Sequence, residues 1–486
     1  MLRTLRIALA VLCFAGCSML FLDVSGIFPQ KFAFLAKIQL VPALLSGSFF
    51  IVAVLAACTL LFGRIYCSTL CPLGVLQDML SRLGRKKRFR FSKGRPRLRA
   101  GVLLVFLLAF LTGASLLFSL LEPYSAFGRI AASLLAPIWQ SGGNVLALAS
   151  ERAGNFAVGP TPVWQKGLAA LAVAAATLGV ISVLAVRSGR TWCNTLCPVG
   201  ACLGLLHCFA LFRPRIDSKK CARCGVCAQS CKASCIDAEN MRMDSSRCVT
   251  CFNCLINCPN HAISYAPARQ TGLNMARGAA GPDLARRAFF VAGLGIAGFP
   301  SVAVARNPDD RPPDLTRKKR SNRETPITPP GSSGLRTFTE HCTGCRLCVS
   351  SCPNQVLSGR DHGSAMLQPV MSFERGFCRV NCVACSLVCP TGAIRPIAKE
   401  QRSAIQVGRA IADWDRCIVT TDKVQCTACS RVCPSGAAVL VGREDGPKRP
   451  AVDSERCIGC GACEYVCPAR PLSAIRVEGN LEHRRV

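Results

Sequence analysis

With 486 residues, 34 of them cysteine, half hydrophobic and only 18% charged, the chain is too long for one small module and too apolar for a disordered tail. A formal charge of +32, from 59 Lys and Arg against 27 Asp and Glu, does not mark a nucleic-acid protein, because no aromatic-laced basic motif accompanies it and much of it lies beside hydrophobic spans. The cysteines fall in tight repeated runs, not in the spacing of a secreted disulfide framework, so they read as metal ligands.

In chain order, four stretches are expected to cross a bilayer: Ile7–Leu22, Ile38–Gly63, Ala100–Leu121 and Gly167–Val186. A spanning helix needs about 20 apolar residues for roughly 30 Å of hydrocarbon, and the first stretch reaches that if Asp23 lies in the interface. Ile130–Ser150 is uncharged, but Pro137, Gln140, Gly142, Gly143 and Asn144 make it an expected interfacial or re-entrant segment. Ten basic residues and no acidic one fall between Ser81 and Arg99, which places that loop in the cytoplasm with the N-terminus. The basic segment after the fourth span, with Arg187, Arg190, Arg213, Arg215, Lys219 and Lys220, then falls on the same side.

Just after the second and fourth spans stand two matching motifs, Cys67-Ser-Thr-Leu-Cys71-Pro72 and Cys193-Asn-Thr-Leu-Cys197-Pro198, each preceded by Gly-Arg and two further residues. Two readings stay open for them: a further cluster or redox site held by Cys67, Cys71, Cys193 and Cys197, or a paired helix-end motif that packs two halves of the membrane domain. Cys13, Cys17, Cys58, Cys202 and Cys208 are expected to be buried small apolar residues.

Six runs of three plus one cysteines follow. A two-cluster ferredoxin holds each 4Fe-4S cluster with three cysteines of one run and the last cysteine of the other. On that rule the first set is Cys221, Cys224, Cys227 and Cys258, and the second is Cys248, Cys251, Cys254 and Cys231. Lys232 stands where proline is usual, and Cys235 competes with Cys231 as fourth ligand of the second set. The third set is Cys342, Cys345, Cys348 and Cys389; the fourth is Cys378, Cys382, Cys385 and Cys352. The fifth is Cys417, Cys426, Cys429 and Cys467; the sixth is Cys457, Cys460, Cys463 and Cys433. The first cysteine stands further off in the runs that begin at Cys378 and Cys417. Structural zinc prefers two pairs separated by a spacer and does not match runs that end in Cys-Pro. Covalent haem is excluded, since no Cys-x-x-Cys-His occurs. With about −2 per thiolate-bound cluster, six clusters bring the net charge near +20.

Between the two groups of runs, Arg286-Arg287, a mild apolar core and Ala303-Val304-Ala305 form an internal twin-arginine export signal or anchor. The expected division is a polytopic α-helical membrane domain over 1–212, an α+β two-cluster ferredoxin domain over 213–266, a linker over 267–336 carrying the signal-like span 286–305, and an α+β four-cluster ferredoxin domain over 337–486.

Residues 1 to about 266, with four spans, two Cys-x3-Cys-Pro motifs and a two-cluster ferredoxin, resemble the NapH-type membrane ferredoxins. Residues from about 283 resemble the NapG-type four-cluster ferredoxins exported by the twin-arginine route. The resemblance implies a protein of the bacterial inner membrane, its first ferredoxin domain cytoplasmic and its last periplasmic, that takes electrons from the quinone pool and delivers them to a redox partner such as a cytochrome or reductase. A competing reading is a redox maturation or regulatory ferredoxin serving the assembly of another enzyme. With only five histidines, and His207 alone near a span, no bis-histidine haem is available to bridge the roughly 30 Å between the two sides.

Overall fold

The computed structural model describes residues 2–23, 27–83, 89–153, 167–267, 318–360, 363, 365–443 and 446–486. The twin-arginine segment 286–305 and residues 84–88 of the basic loop lie outside the described residues.

Two helices among these are long and apolar enough to cross a membrane, Leu2–Leu22 and Leu168–Ser188. The first buries Arg6, Ala10, Cys17, Leu20 and Phe21 and turns Leu2, Leu5, Leu9 and Leu12 outward. Three- and four-residue spacing makes each group one stripe, so the outer stripe is apolar where a water-facing helix is polar. The second buries a seam of Ala170, Ala174, Ile181 and Ala185, small residues that allow close approach, and exposes Leu168, Val180 and Val183.

The other two expected spans are broken. Ile38–Gly63 splits at Gly47, whose φ is +73°, into Leu40–Leu45 and Phe49–Phe62; Ala100–Leu121 splits at Gly113, φ +70°, into Pro96–Leu111 and Ser115–Leu121. A single left-handed residue stops a helix without altering mean hydropathy. The expected re-entrant stretch is helical throughout: the five residues Ala131–Leu135 form a π turn that leads into Ala136–Arg152. Pro137 lacks an N–H and its ring crowds the carbonyl four residues back, and the wider turn accommodates both. The helix exposes Ile138, Trp139, Val145 and Leu146.

The two cysteine-rich regions pack against opposite ends of the Leu2–Leu22 helix. Near its start, Arg6 Nη1 stands 3.5 Å from Asp78, which also holds Lys232 at 3.3 Å. Near its end, Phe21 and the carbonyl of Cys345 both press on Gly128, leaving no room for a side chain there. Ser119 donates to the Thr343 carbonyl at 2.6 Å and Arg346 reaches Ser133 at 3.5 Å. Arg6 and Phe21 are separated by about 22 Å of helix at 1.5 Å per residue.

Among the described residues every sheet is a two-stranded antiparallel ribbon, and ribbons of that size are not stable alone. Phe212–Ile216 pairs with Ile263–Pro267 in the first region; Leu357–Gly359 with Pro369–Met371, Ala438–Arg443 with Gly446–Val452, and Ile405–Ala412 with Ile475–Arg485 in the last. The cysteines between the ribbons form much of the core. The last region also begins earlier than the sequence implies. Residues 318–336, expected in a linker, pack onto it: Arg323 pairs with Glu464 at 2.6 Å, and the amides of Met371 and Arg395 donate to the carbonyls of Ile327 and Gly331.

Candidate iron–sulfur centres

Four cavities group cysteines of paired runs in the arrangement that crossed ligation would need. Cys221, Cys224, Cys227 and Cys258 line one cavity, Cys352, Cys378, Cys382 and Cys385 a second, Cys417, Cys426, Cys429 and Cys467 a third, and Cys433, Cys457, Cys460 and Cys463 a fourth. These are the first, fourth, fifth and sixth sets. In the second set, Cys254 lies within electrostatic range of Cys248, Cys251 and Cys231; in the third, Cys348 lies within range of Cys345, Cys342 and Cys389.

Among the described residues no three His, Cys, Asp or Glu side chains are disposed to hold a single metal ion. A tetrahedral zinc with bonds of about 2.3 Å draws its sulfurs much closer together than a four-iron cluster does. Four thiol donors around an apolar cavity fit 4Fe-4S, and the cavities match that donor set.

The backbone explains the regular spacing. In the four tight runs the residue before the second cysteine and the residue after it are both left-handed: Arg223 and Gly225, Thr250 and Phe252, Gly344 and Arg346, Gly459 and Gly461. Arg223, Thr250, Phe252 and Arg346 adopt positive φ despite their side chains, a cost that the surrounding structure sustains. In the runs loosened at Cys378 and Cys417, Val383 and Thr427 keep negative φ, because the longer first loop removes the need for the tight wrap.

Four of the Cys-Pro tails return an amide to their own cysteine sulfur: Ala262 to Cys258 at 3.3 Å, Ile394 to Cys389 at 3.4 Å, Ala438 to Cys433 at 3.4 Å and Ala474 to Cys467 at 3.3 Å. N–H donors to cluster sulfurs stabilise negative charge there and tune potential. Burial pushes the Cys345 thiol up to about 12 and the Cys251 and Cys460 thiols up to about 11, so ligation displaces protons. Cys235, buried, has its sulfur 3.5 Å from that of Cys231, and this hydrogen bond, more than any other influence, lowers Cys231 to about 7.

The paired motifs near the apolar helices also converge. Cys67, Cys71, Cys193 and Cys197 are each at most 5% exposed, and Cys197 lies within electrostatic range of the other three. Arg64 and Arg190 exchange places: Arg64 Nη2 donates to the Cys193 carbonyl at 3.3 Å and faces Cys67 Sγ at 3.7 Å, while Arg190 Nη1 donates to the Cys67 carbonyl. Gln77 donates to Cys193 Sγ at 3.2 Å and the Gly200 amide to Cys197 Sγ at 3.3 Å. Arg190 also forms a bidentate pair with Asp78, 2.8 Å on each arm. The Gly-Arg that precedes each motif was the sequence signal for this exchange. Cys202 and Cys208, expected to be buried, are exposed beside the outward Leu205 and Phe209; an apolar outer surface accepts small thiols as readily as a core does.

The cysteine sets and ribbons define an iron–sulfur protein of the ferredoxin type. Residues 44–90 and 169–216 match the 4Fe-4S binding domain family, and residues 341–393 and 424–470 match the 4Fe-4S dicluster domain family. A methylamine utilization ferredoxin-type protein MauM of Methylobacillus flagellatus is 32% identical over 170 residues, which is 34% of this chain and 72% of the relative. The ferredoxin-type protein NapG of Escherichia coli K12 is 30% identical over 174 residues, 32% of this chain and 74% of the relative. NapF of the same strain is 29% identical over 148 residues, 30% of this chain and 84% of the relative. The chain belongs to the ferredoxin-type proteins of the MauM and NapG kind.

Proposed function

We propose that this is a multi-pass protein of the bacterial inner membrane that takes electrons from quinol and passes them through six 4Fe-4S clusters to a redox partner, a periplasmic reductase or cytochrome. The observation that carries the reading is the placement of two cysteine-rich regions at opposite ends of an apolar helix whose outer stripe is leucine. Outward apolar faces on Phe49–Phe62, Pro96–Leu111, Ala136–Arg152 and Leu168–Ser188 support a lipid environment, since exposed apolar belts of this extent are not stable in water. The breaks at Gly47 and Gly113 are exposed, with open space around them, so in this reading they lie at the membrane surface, where water satisfies the freed backbone groups, and not within the hydrocarbon.

In this reading the N-terminus and the region 213–267 face the cytoplasm, and residues beyond 318 face the periplasm, delivered by the twin-arginine segment. The clusters supply one-electron redox chemistry; the residues hold them, exclude water and supply amide donors to the sulfurs. Right-side-out membrane vesicles test it. Protease added outside should cleave beyond residue 318 and a quinol analogue should bleach the cluster absorbance. Protection of those residues overturns the orientation, and failure of every cluster to reduce overturns the quinol donor.

A further inference from the structure

We infer that the exposed basic strap from Arg90 to Arg97, with Arg82 and Arg187 beside it, binds the phosphate headgroups of anionic phospholipids and thereby holds the region 213–267 against the membrane face. This surface rests on the membrane reading proposed above, to which it adds a ligand class and the residues that take it.

The strap runs between the helices Pro72–Leu83 and Pro96–Leu111, and its backbone is fastened to the first cysteine-rich region. The Phe89 amide donates to the Gln229 carbonyl and the Ser92 amide to the Ser234 carbonyl, each at 3.3 Å. Arg247 Nη1 donates to Ser92 Oγ at 3.3 Å, and its guanidinium lies 5.8 Å from the centre of the Phe91 ring. Just beyond the strap the buried Arg99 donates to Ser246 at 2.9 and 3.2 Å. Tied along its length in this way, the strap presents its remaining cations in fixed places.

Those cations face outward. Arg90, Lys93, Arg95 and Arg97 are exposed, and among the described residues no carboxylate pairs with any of them. Asp244, whose Oδ2 stands 3.2 Å from the Cβ position of Gly94, is already taken by Arg247 at 2.6 Å and by Ser246 at 2.7 Å. Arg99 and Arg247 carry the same charge and are buried on partners, so burial separates the arginines that fasten the strap from the cations it displays. Arg82 and Arg187, exposed near the ends of Pro72–Leu83 and Leu168–Ser188, extend the patch. Gly189 brings Arg187 beside the strap, since a Cβ there would stand 3.1 Å from the Phe89 ring. Cations gathered on one face repel one another in water and are stabilised by an anionic surface.

The patch is continuous with the apolar outer faces. Leu98 follows Arg97 on the helix that turns Leu104, Leu107, Leu108 and Leu111 outward, and Met79 is exposed one turn before Arg82. Beyond Arg99 this helix carries no charge as far as its break at Gly113, and its 16 residues rise about 24 Å at 1.5 Å per residue. The cations therefore stand at one end of an apolar belt, at the depth of the headgroup phosphates. Their long side chains reach the phosphates while the stems stay on apolar surface. An acidic protein matches the charge and not the adjoining leucines, and free phosphate matches neither the leucines nor the spread of the cations. An anionic phospholipid matches both. Each basic residue near such a surface strengthens the attraction roughly fivefold, and salt screens it.

Spin-labelled lipids in vesicles made of equal parts phosphatidylcholine and phosphatidylglycerol test this with the full-length protein. At low salt the native protein should immobilise labelled phosphatidylglycerol about tenfold more strongly than labelled phosphatidylcholine, and high salt should bring the two to parity. Arg90→Gln/Lys93→Gln/Arg95→Gln/Arg97→Gln, with native iron content and helicity, should lose the preference at low salt as well. Arg90→Lys/Arg95→Lys/Arg97→Lys keeps the charge and should keep the preference. The salt measurement uses the native protein alone, so the test does not depend on a variant folding. An equal preference in the native protein and the glutamine variant, or one that salt leaves intact, overturns the inference. Displacement of the labelled lipid by inorganic phosphate, with ionic strength matched by chloride, assigns the patch to a free anion; displacement by polyglutamate under the same match assigns it to an acidic protein. Either overturns the lipid. If the native protein stays monodisperse without detergent and immobilises neither lipid, the membrane reading itself falls, a failure distinct from loss of the preference alone.

Discussion

The Cys-Pro sulfurs of the ferredoxin regions, and Cys197 of the paired motifs, receive main-chain amides, but the first cysteine of each paired Cys-x3-Cys-Pro motif is served by a side chain. In the ferredoxin regions the Cys-Pro sulfurs of Cys258, Cys389, Cys433 and Cys467 each receive a main-chain amide, so no single substitution short of proline removes the interaction. At the paired motifs side chains dominate: Arg64 faces Cys67, Gln77 donates to Cys193, and Arg190 anchors the Cys67 carbonyl. Backbone donors make the environment of a cluster robust, whereas side-chain donors make it adjustable and vulnerable to mutation.

The comparison breaks most visibly at Arg190. Its removal leaves Asp78 with only Arg6 at 3.5 Å and Lys232 at 3.3 Å, and loss of one member of a buried ion pair costs about 3–5 kcal/mol. Arg190→Ala should destabilise the helical region by about that amount, read as a lower thermal midpoint, and loosen both motifs. Burial pushes the Asp78 carboxyl up, but Arg190, then Lys232 and Arg6, outweigh it and hold it well below the usual carboxylate range. Its contribution is therefore present above about pH 3.9 and disappears as the pH falls below that. A variant as stable as the native protein would show that side chains do not fix these motifs.

In the ferredoxin half the corresponding weak point is steric. Gly461 has φ +77°, and a Cβ there would stand 2.3 Å from the Phe373 ring. Strain and overpacking together put Gly461→Ala at about 3 kcal/mol, read as a lower denaturant midpoint of the last region, with loss of the sixth cluster before the third. Next is acid sensitivity. Burial, then Arg402, pushes His483 down to about 4, and its Nε2 lies 2.9 Å from Thr328 Oγ1. Unfolding frees it to take a proton from about pH 6.5, so stability falls between about pH 6.5 and 4 by ~2 kcal/mol. His483→Gln should flatten that slope in acid titrations, and an unchanged slope would assign it to other groups.

Legibility followed the range of the forces involved. The grouping of the cysteines was readable because it depends on local spacing, and four cavities are each lined by four cysteines that the spacing puts together. The continuity of the expected spans was not, because hydropathy averages over Gly47 and Gly113, each of which breaks a helix alone. Pro137 was read as a disruption and is absorbed by a π turn. The exchange of Arg64 and Arg190 between motifs is a long-range contact; Gly-Arg before each Cys-x3-Cys-Pro marked it without showing which cysteine each arginine reaches. Exposed Cys202 and Cys208 follow from an inside-out polarity that residue type does not encode.

The smallest expected effect concerns the fourth ligand of the second set, where two sulfurs stand 3.5 Å apart. Cys231, with Cys248 and Cys251, acts electrostatically on Cys254, which favours Cys231 as the fourth member of the set. Cys235 instead sits beside Cys231 and Cys248, where a thiol donates to ligand sulfurs as the amides do elsewhere. Cys235→Ser keeps a hydroxyl donor at that point, so iron content should be unchanged and stability should move by no more than about 0.5 kcal/mol. Cys231→Ser should instead release about four iron atoms or force Cys235 into its place. If Cys235→Ser is the variant that loses iron, the assignment reverses: Lys232, where proline is usual, would then mark a loop that passes ligation to the later cysteine.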